Sequence, residues 1–118
     1  MKRFVVLRHE MPQRPLHWDF MLESSDALRT WALDAEPAVG LSITSEALAD
    51  HRAVYLDYEG PISGDRGHVT RWDWGSYEML IDGDNQIVAR LEGQKLNGEV
   101  VLQRDPENDQ RWIFRFSA

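Results

Sequence analysis

Three residues near the amino terminus have the types and the spacing of a divalent-metal site. His17 and Asp19 lie two residues apart in the run 16–22, where large apolar residues alternate with other side chains. Because successive side chains of a strand point to opposite faces, His17 and Asp19 are expected to project to the same side. His9 ends the preceding apolar run, and antiparallel pairing of the two runs would bring it beside His17.

Two imidazoles and one carboxylate favour some metals over others. They suit Mn²⁺, Zn²⁺ or Fe²⁺ better than Mg²⁺ or Ca²⁺, which prefer oxygen ligands. Three protein ligands would leave positions open for water or substrate. Two other interpretations stay open on the pattern alone. One is a His17–Asp19 surface pair without metal, and the other is an iron-oxygenase triad completed by His51 or His68.

Short β-type runs separated by turn residues dominate the chain, and they predict the elements that must position these side chains. The predicted strands are 4–7, 16–22, 28–33, 53–58, 68–74, 77–81, 87–91, 100–104 and 112–116. Residues 45–50 are predicted to form one short helix, capped by Thr44 or Ser45. Residues 10–15 and 106–110 are predicted as loops. Turns are expected at Gly60-Pro61, Gly64, Gly75, 82–85 and Asn97-Gly98.

This pattern indicates an all-β fold. About eight or nine short strands with one short helix suggest a small closed or nearly closed β-barrel, with a sandwich as the alternative. A length of 118 residues suits a single domain covering 1–118. No apolar run is long enough for a membrane span or a signal peptide, so we expect a monomeric cytoplasmic protein.

Composition narrows the possible ligands and partners. The chain has no cysteine, so any metal must be held by His, Asp, Glu or water. The net charge of −7 argues against tight, sequence-independent binding to nucleic acid. Four early cations still allow a local basic patch: Lys2, Arg3, Arg8 and Arg14.

Motifs along nearly the whole chain resemble those of a known family and occur in the same order. The run FVVLRHE…LHWDFMLE…LRTWAL is similar to the opening of the 3′-phosphoesterase domain of bacterial DNA ligase D. That family typically reads F-V-V-Q-x-H, then R-L-H-Y-D-F-R-L-E, then S-W-A-V-P-K-G. Later matches are Asp50-His51-Arg52, Tyr55, Tyr58-Glu59-Gly60-Pro61-Ile62, Val69, Trp72-Asp73, Gly75, Tyr77-Glu78 and Gly93-Gln94-Lys95-Leu96-Asn97-Gly98.

The resemblance implies a compact β-barrel with Mn²⁺-dependent phosphoesterase activity at DNA 3′ ends, with Zn²⁺ or another divalent cation as the alternative metal. It implies that His9, His17 and Asp19 bind the metal and that His51 contacts the scissile phosphate, with Tyr55 in the same site. The implied reaction removes a 3′-terminal ribonucleotide or a 3′-phosphate and leaves a 3′-OH. The implied partners are a DNA 3′ end or another phosphate ester, with separate repair proteins.

Several family cations are replaced in this chain. Met21 stands where the family has Arg, and Asp34-Ala35 where it has Pro-Lys. The segment 40–45 has no clear counterpart of the family's K-R-L-A-V stretch, and the His9–His17 spacing is two residues longer. Arg8, Arg14 and Arg52 neighbour the predicted site residues, and we predict that Arg14 and Arg52 join the catalytic group. The alternatives are a metal-binding module of the same fold that is non-catalytic or differently specific, and a metal-free barrel.

Overall fold

The computed structural model describes residues 1–118 as nine β-strands and one 3-10 helix. The strands are β1 Lys2–Met11, β2 Arg14–Ser24, β3 Ala27–Leu33, β4 Ser42–Arg52, β5 Gly60–Pro61, β6 His68–Asp82, β7 Gln86–Gly93, β8 Asn97–Asp105 and β9 Asn108–Ser117. The 3-10 helix covers Ala53–Leu56. None of the helical structure is long and apolar enough to cross a membrane.

The sheet closes on itself, which confirms the predicted all-β barrel. Its strands follow the order β1-β2-β3-β4-β9-β8-β7-β6-β5, and β1 also pairs with β6. Eight strands therefore form a closed antiparallel barrel, while the short β5 lies outside the ring beside β6. Closure removes the free sheet edges that would otherwise promote aggregation.

Two apolar clusters lie on opposite faces of the first strands. The barrel interior holds a cluster of 17 buried residues, including Phe4, Phe20 and Phe114; one comes from the β7–β8 turn and the others from all eight barrel strands. A smaller cluster lies outside the barrel, under the 3-10 helix: Val5, Leu7, Met21, Leu28, Leu56 and Val69. Strands β1 and β2 are thus buried on both faces, which explains the unbroken apolar run of β1. Burial of each large apolar side chain contributes about 1.5–3 kcal/mol.

The helix predicted over residues 45–50 is wrong, because this segment lies within β4. Ile43 and Ser45 are buried while Thr44 and Glu46 are exposed, which is the two-residue period of a strand. The Ser45 hydroxyl donates a hydrogen bond to the Trp112 carbonyl of β9 at 2.9 Å. Pairing with β3 and β9 overrides the local helix preference of the alanine- and leucine-rich segment.

Other predicted boundaries also differ from the structure. The strand predicted over 53–58 is instead the 3-10 helix, which buries Leu56 against the outer cluster. The runs 68–74 and 77–81 form one strand, β6, so Gly75 is not a turn. The loops predicted over 10–15 and 106–110 shrink to two-residue turns, at 12–13 and 106–107. Asn97-Gly98 begins β8, while the turn before it covers 94–96.

A buried carboxylate holds the β7–β8 turn. Asp73 is fully buried and accepts hydrogen bonds from the backbone N–H groups of Trp74, Gln94, Lys95 and Leu96 at 2.7–3.1 Å. A Cβ on Gly93 would lie 2.5 Å from the Asp73 carboxylate, so only glycine leaves room for this contact. The Trp-Asp and Gly-x-Lys-Leu-x-Gly motifs therefore stabilise the barrel, away from the histidines.

Candidate metal centre

Strand register brings His9, His17 and Asp19 together on the outer face of the barrel. His9 lies directly opposite His17 in the β1–β2 pair, and their ring centroids are 4.6 Å apart. Asp19 lies two residues along β2, on the same face as His17. One nitrogen of each imidazole and one carboxylate oxygen all lie within 4.8 Å of one another. The predicted antiparallel pairing of these strands is confirmed.

Each imidazole directs one nitrogen to Asp19 and the other to a backbone carbonyl. His9 Nδ1 lies 3.0 Å from Asp19 Oδ2, and His9 Nε2 donates to the Arg66 carbonyl at 2.8 Å. His17 Nε2 lies 3.2 Å from Asp19 Oδ1, while its Nδ1 is 3.5 Å from the Pro15 carbonyl. A carbonyl partner on the far nitrogen fixes the tautomer and orientation of a metal-binding histidine.

Burial and charge act in opposite directions on these groups. Asp19 is 3% exposed, and this burial would raise its pKa, but the close polar contacts and charge interactions of the carboxylate with His17 and His9 outweigh it and lower the pKa. Burial also lowers the pKa of His9, yet its hydrogen bonds to Asp19 and to the Arg66 carbonyl raise the net value. Without an ion, the charged form of His9 is thus favoured beside the buried carboxylate.

The three side chains fit a divalent cation. Asp19 Oδ1 is buried and makes no directed hydrogen bond, because its close contact with His17 lacks the required geometry. The 3.0 and 3.2 Å contacts match the separation of about 3 Å between two ligands that bind one ion at about 2.1 Å. Two nitrogens and a carboxylate oxygen suit Mn²⁺ or Zn²⁺, as the sequence predicts, without selecting between them.

A cavity of about 190 Å³ opens over the three side chains and contains three of the four predicted catalytic residues. Arg14, His51 and Tyr55 line it together with His9, His17 and Asp19. His51 Nδ1 donates to the Ala49 carbonyl at 2.9 Å, which leaves Nε2 of the neutral ring without a proton. The Tyr55 ring meets the His51 ring edge-on, with centroids 6.0 Å apart.

Arg52 does not line this cavity. Its guanidinium lies 5.9 Å from the centroid of the Tyr55 ring, next to a separate hollow. Arg8, the other cation predicted near the site, pairs with Glu10 and also lies outside the cavity lining. Arg14 is therefore the one predicted cation that the structure places beside the histidines.

The sequence alone missed Arg66, which also lines the cavity. Its carbonyl accepts from His9, and its side-chain Nε donates to the Ser63 carbonyl at 2.8 Å. Gly67, at φ +87°, allows this loop to approach β1, since a Cβ there would lie 1.8 Å from the Glu10 carbonyl oxygen. A glycine on each side of Asp65-Arg66 is the one sequence signal that could have pointed to this arginine.

Met21 forms part of the apolar wall of the cavity. It is 1% exposed and packs with Leu7 and Val69 in the outer cluster. The side chain that replaces the family's arginine therefore adds no charge to the cavity wall.

Comparison with known proteins identifies related sequences. The family model for the DNA Ligase D 3′-phosphoesterase domain matches residues 8–104. The multifunctional non-homologous end joining DNA repair protein LigD of Mycobacterium tuberculosis is 32% identical over 119 residues, covering 93% of this chain. The LigD protein of Pseudomonas aeruginosa is 31% identical over 112 residues, covering 86% of the chain. The chain spans 15% and 13% of the lengths of these two relatives.

Proposed function

Because the chain belongs to the DNA ligase D 3′-phosphoesterase domain family, we propose that it is a metal-dependent phosphoesterase that processes DNA 3′ ends. Family membership supports a role in DNA end processing. The proposed reaction removes a 3′-terminal ribonucleotide or a 3′-phosphate. The observation that carries the proposal is Asp19, buried between two imidazoles at a cavity that also contains His51 and Arg14.

Each cavity residue has a role in this proposal. His9 Nδ1, His17 Nε2 and Asp19 hold the cation, which when bound supplies Lewis-acid stabilisation and lowers the pKa of water. Arg14 binds a non-bridging phosphate oxygen, since its planar guanidinium can donate two hydrogen bonds to one phosphate. His51 Nε2 faces the phosphate; in the protonated ring it would donate a hydrogen bond to a phosphate oxygen or pass its proton to the leaving oxygen, which leaves the ring neutral.

Two residues act through their neighbours. The Ala49 carbonyl holds the His51 ring by its Nδ1–H group, so Nε2 keeps its direction as protons are exchanged. The edge of the Tyr55 ring restricts the other side of His51. In this proposal the DNA 3′ end is the partner, and separate repair proteins use the end that is left.

A second function is a metal-binding module of the same fold that is non-catalytic or acts on another phosphate ester. Met21 favours it, because an uncharged side chain lies in the cavity wall where the family has arginine. Loss of one electrostatic contact to the transition state typically costs about 2.7–4 kcal/mol. Arg14 and Arg66 are the cations at this cavity that could compensate.

Primer–template DNA ending in a 3′-ribonucleotide or a 3′-phosphate tests the proposal. With Mn²⁺ we expect trimming by the natural protein and a loss of at least about 100-fold in His51→Ala. His68→Ala is the matched control, because His68 is an exposed histidine of β6 outside the cavity lining. Metal binding without trimming of either substrate would overturn the phosphoesterase proposal and favour the second function.

A further inference from the structure

A second hollow of about 310 Å³ adjoins the cavity over the histidines. Tyr55 and Ile62 belong to the linings of both, so the two spaces are neighbours with a shared wall. The remaining wall of the hollow includes Arg52, Val54 and Tyr58. The reacting phosphate and a group attached to it could therefore occupy the two spaces at once.

Aromatic side chains line one wall of this hollow and are fixed in place. The Tyr55 and Tyr58 rings meet at 88° with centroids 5.9 Å apart, and both pack against the outer apolar cluster. The Tyr58 hydroxyl donates to the Pro61 carbonyl, which holds the ring against β5. Val54 is 55% exposed beside them. A flat apolar group would meet a preformed surface here, with little side-chain entropy to lose on binding.

The hollow combines its aromatic wall with a single positive charge. Arg52 is the one charged residue in its lining, although the whole chain carries a net charge of −7. The nearby carboxylate of Asp57 pairs with Arg3, and that of Glu59 accepts from the Arg71 backbone N–H. The guanidinium of Arg52 lies toward the face of the Tyr55 ring, at 5.9 Å. Aromatic faces together with arginine are the surface that binds nucleobases without sequence preference.

We propose that this hollow binds the 3′-terminal nucleobase of the substrate strand, beside a reacting phosphodiester in the metal cavity. A terminal base is the assigned ligand because it leaves the helical stack more easily than an internal one. The inference rests on the proposed phosphoesterase function. It makes the preferred substrate a diester that carries a terminal nucleoside, and it makes Arg52 a positioning residue.

Paired substrates test this inference in the natural protein. Two primers ending in the same 3′-terminal ribose are compared, one with its terminal base and one abasic. Fluorescence anisotropy in EDTA and cleavage in Mn²⁺ should both favour the base-containing primer, by about 10-fold in Kd and in KM, which is within the usual range for one stacked base. Equal affinity for the two primers would overturn the proposed base site.

Variants separate the hollow from the metal cavity. Arg52→Ala and Tyr58→Leu should raise KM about 5- to 10-fold for the ribonucleotide-terminated diester. Neither variant should affect a 3′-phosphate primer, which has no terminal nucleoside to place there. Tyr58→Phe keeps the aromatic ring and should leave KM for the diester near that of the natural protein. Arg90→Ala is the control for Arg52→Ala, because it removes an exposed arginine distant from the hollow. Equal losses on diester and monoester would overturn the inference.

The two proposals fail in different ways. Base-dependent binding without any trimming would overturn the phosphoesterase function and leave the nucleobase site standing. Trimming that ignores the terminal base would overturn the nucleobase site and leave the phosphoesterase function standing.

Discussion

At the scale of single residues, Asp19 joins the two histidines into one site. Its carboxylate contacts both imidazoles, and the buried Oδ1 lacks a directed hydrogen bond. We predict that Asp19→Asn lowers the affinity for Mn²⁺ by at least about 100-fold, since even loss of a residue that only orients a ligand costs about 10–100-fold. Isothermal titration calorimetry measures the change. Asp26→Asn, in the exposed β2–β3 turn, is the control.

Arg14 is the residue on which the proposed chemistry most depends after the metal ligands. It lines the cavity where the family's arginine is replaced by Met21, so it is a substitute cation on the same cavity wall. We predict that Arg14→Ala lowers kcat/KM by about 100-fold and that Arg14→Lys recovers part of it, because lysine keeps the charge without the forked contact. Steady-state trimming assays measure this, with Arg90→Ala as control. Full activity in Arg14→Ala would assign phosphate binding to Arg66 instead.

At the scale of elements, Asp73 should matter for stability. Its carboxylate accepts from four backbone N–H groups at the turn joining β7 and β8. We predict that Asp73→Ala lowers the free energy of unfolding by about 3–5 kcal/mol, because buried donors lose their acceptor. Urea denaturation measures the loss, with the exposed Asp109→Ala as control. A change below about 1 kcal/mol would show that water replaces the carboxylate.

Tyr77 connects β6 to the end of β2, and its ionisation should lower the stability of the fold at alkaline pH. Its hydroxyl donates to the Glu23 carbonyl at 2.7 Å, and burial raises its pKa above the usual value of 10.0. The neutral phenol is thus favoured in the folded state. This contribution is complete below pH 10.0 and is lost as the pH rises through the higher folded pKa.

The corresponding variant is Tyr77→Phe, which removes the hydroxyl and keeps the ring. At pH 7 its free energy of unfolding should be about 1 kcal/mol lower than that of the natural protein. The difference should shrink above pH 10.0, where the natural protein loses its advantage. Urea denaturation at both pH values measures it, and a difference independent of pH would contradict the assigned cause.

The sequence predicted correctly those strands in which buried and exposed side chains alternate. The alternation of 16–22 places Phe20 in the barrel and Asp19 outside it, and this fixed the prediction of the β1–β2 pair. Residues 45–50 were predicted wrongly because their helical preference is local, whereas their strand partners lie far away in sequence. The position of Arg66 at the cavity depends on the path of the loop between β5 and β6. The position of Arg52 outside the cavity depends on the 3-10 helix that follows it. Their paths have no periodic signal.

At the scale of the whole molecule, charge limits how the chain can hold DNA. The net charge is −7, and the cations that line the metal cavity are Arg14 and Arg66, while Arg52 lines the neighbouring hollow. Each phosphate contact contributes about 0.7–0.9 to the slope of log affinity against log salt. Two phosphate contacts, from Arg14 and Arg66, therefore predict a slope of about −1.4 to −1.8 for a primer–template ending in a 3′-ribonucleotide. Fluorescence anisotropy between about 25 and 200 mM salt measures it, and Arg14→Ala should reduce the slope by about one contact. A slope steeper than about −3 would contradict binding confined to the 3′ end, because it would require phosphate contacts beyond Arg14 and Arg66.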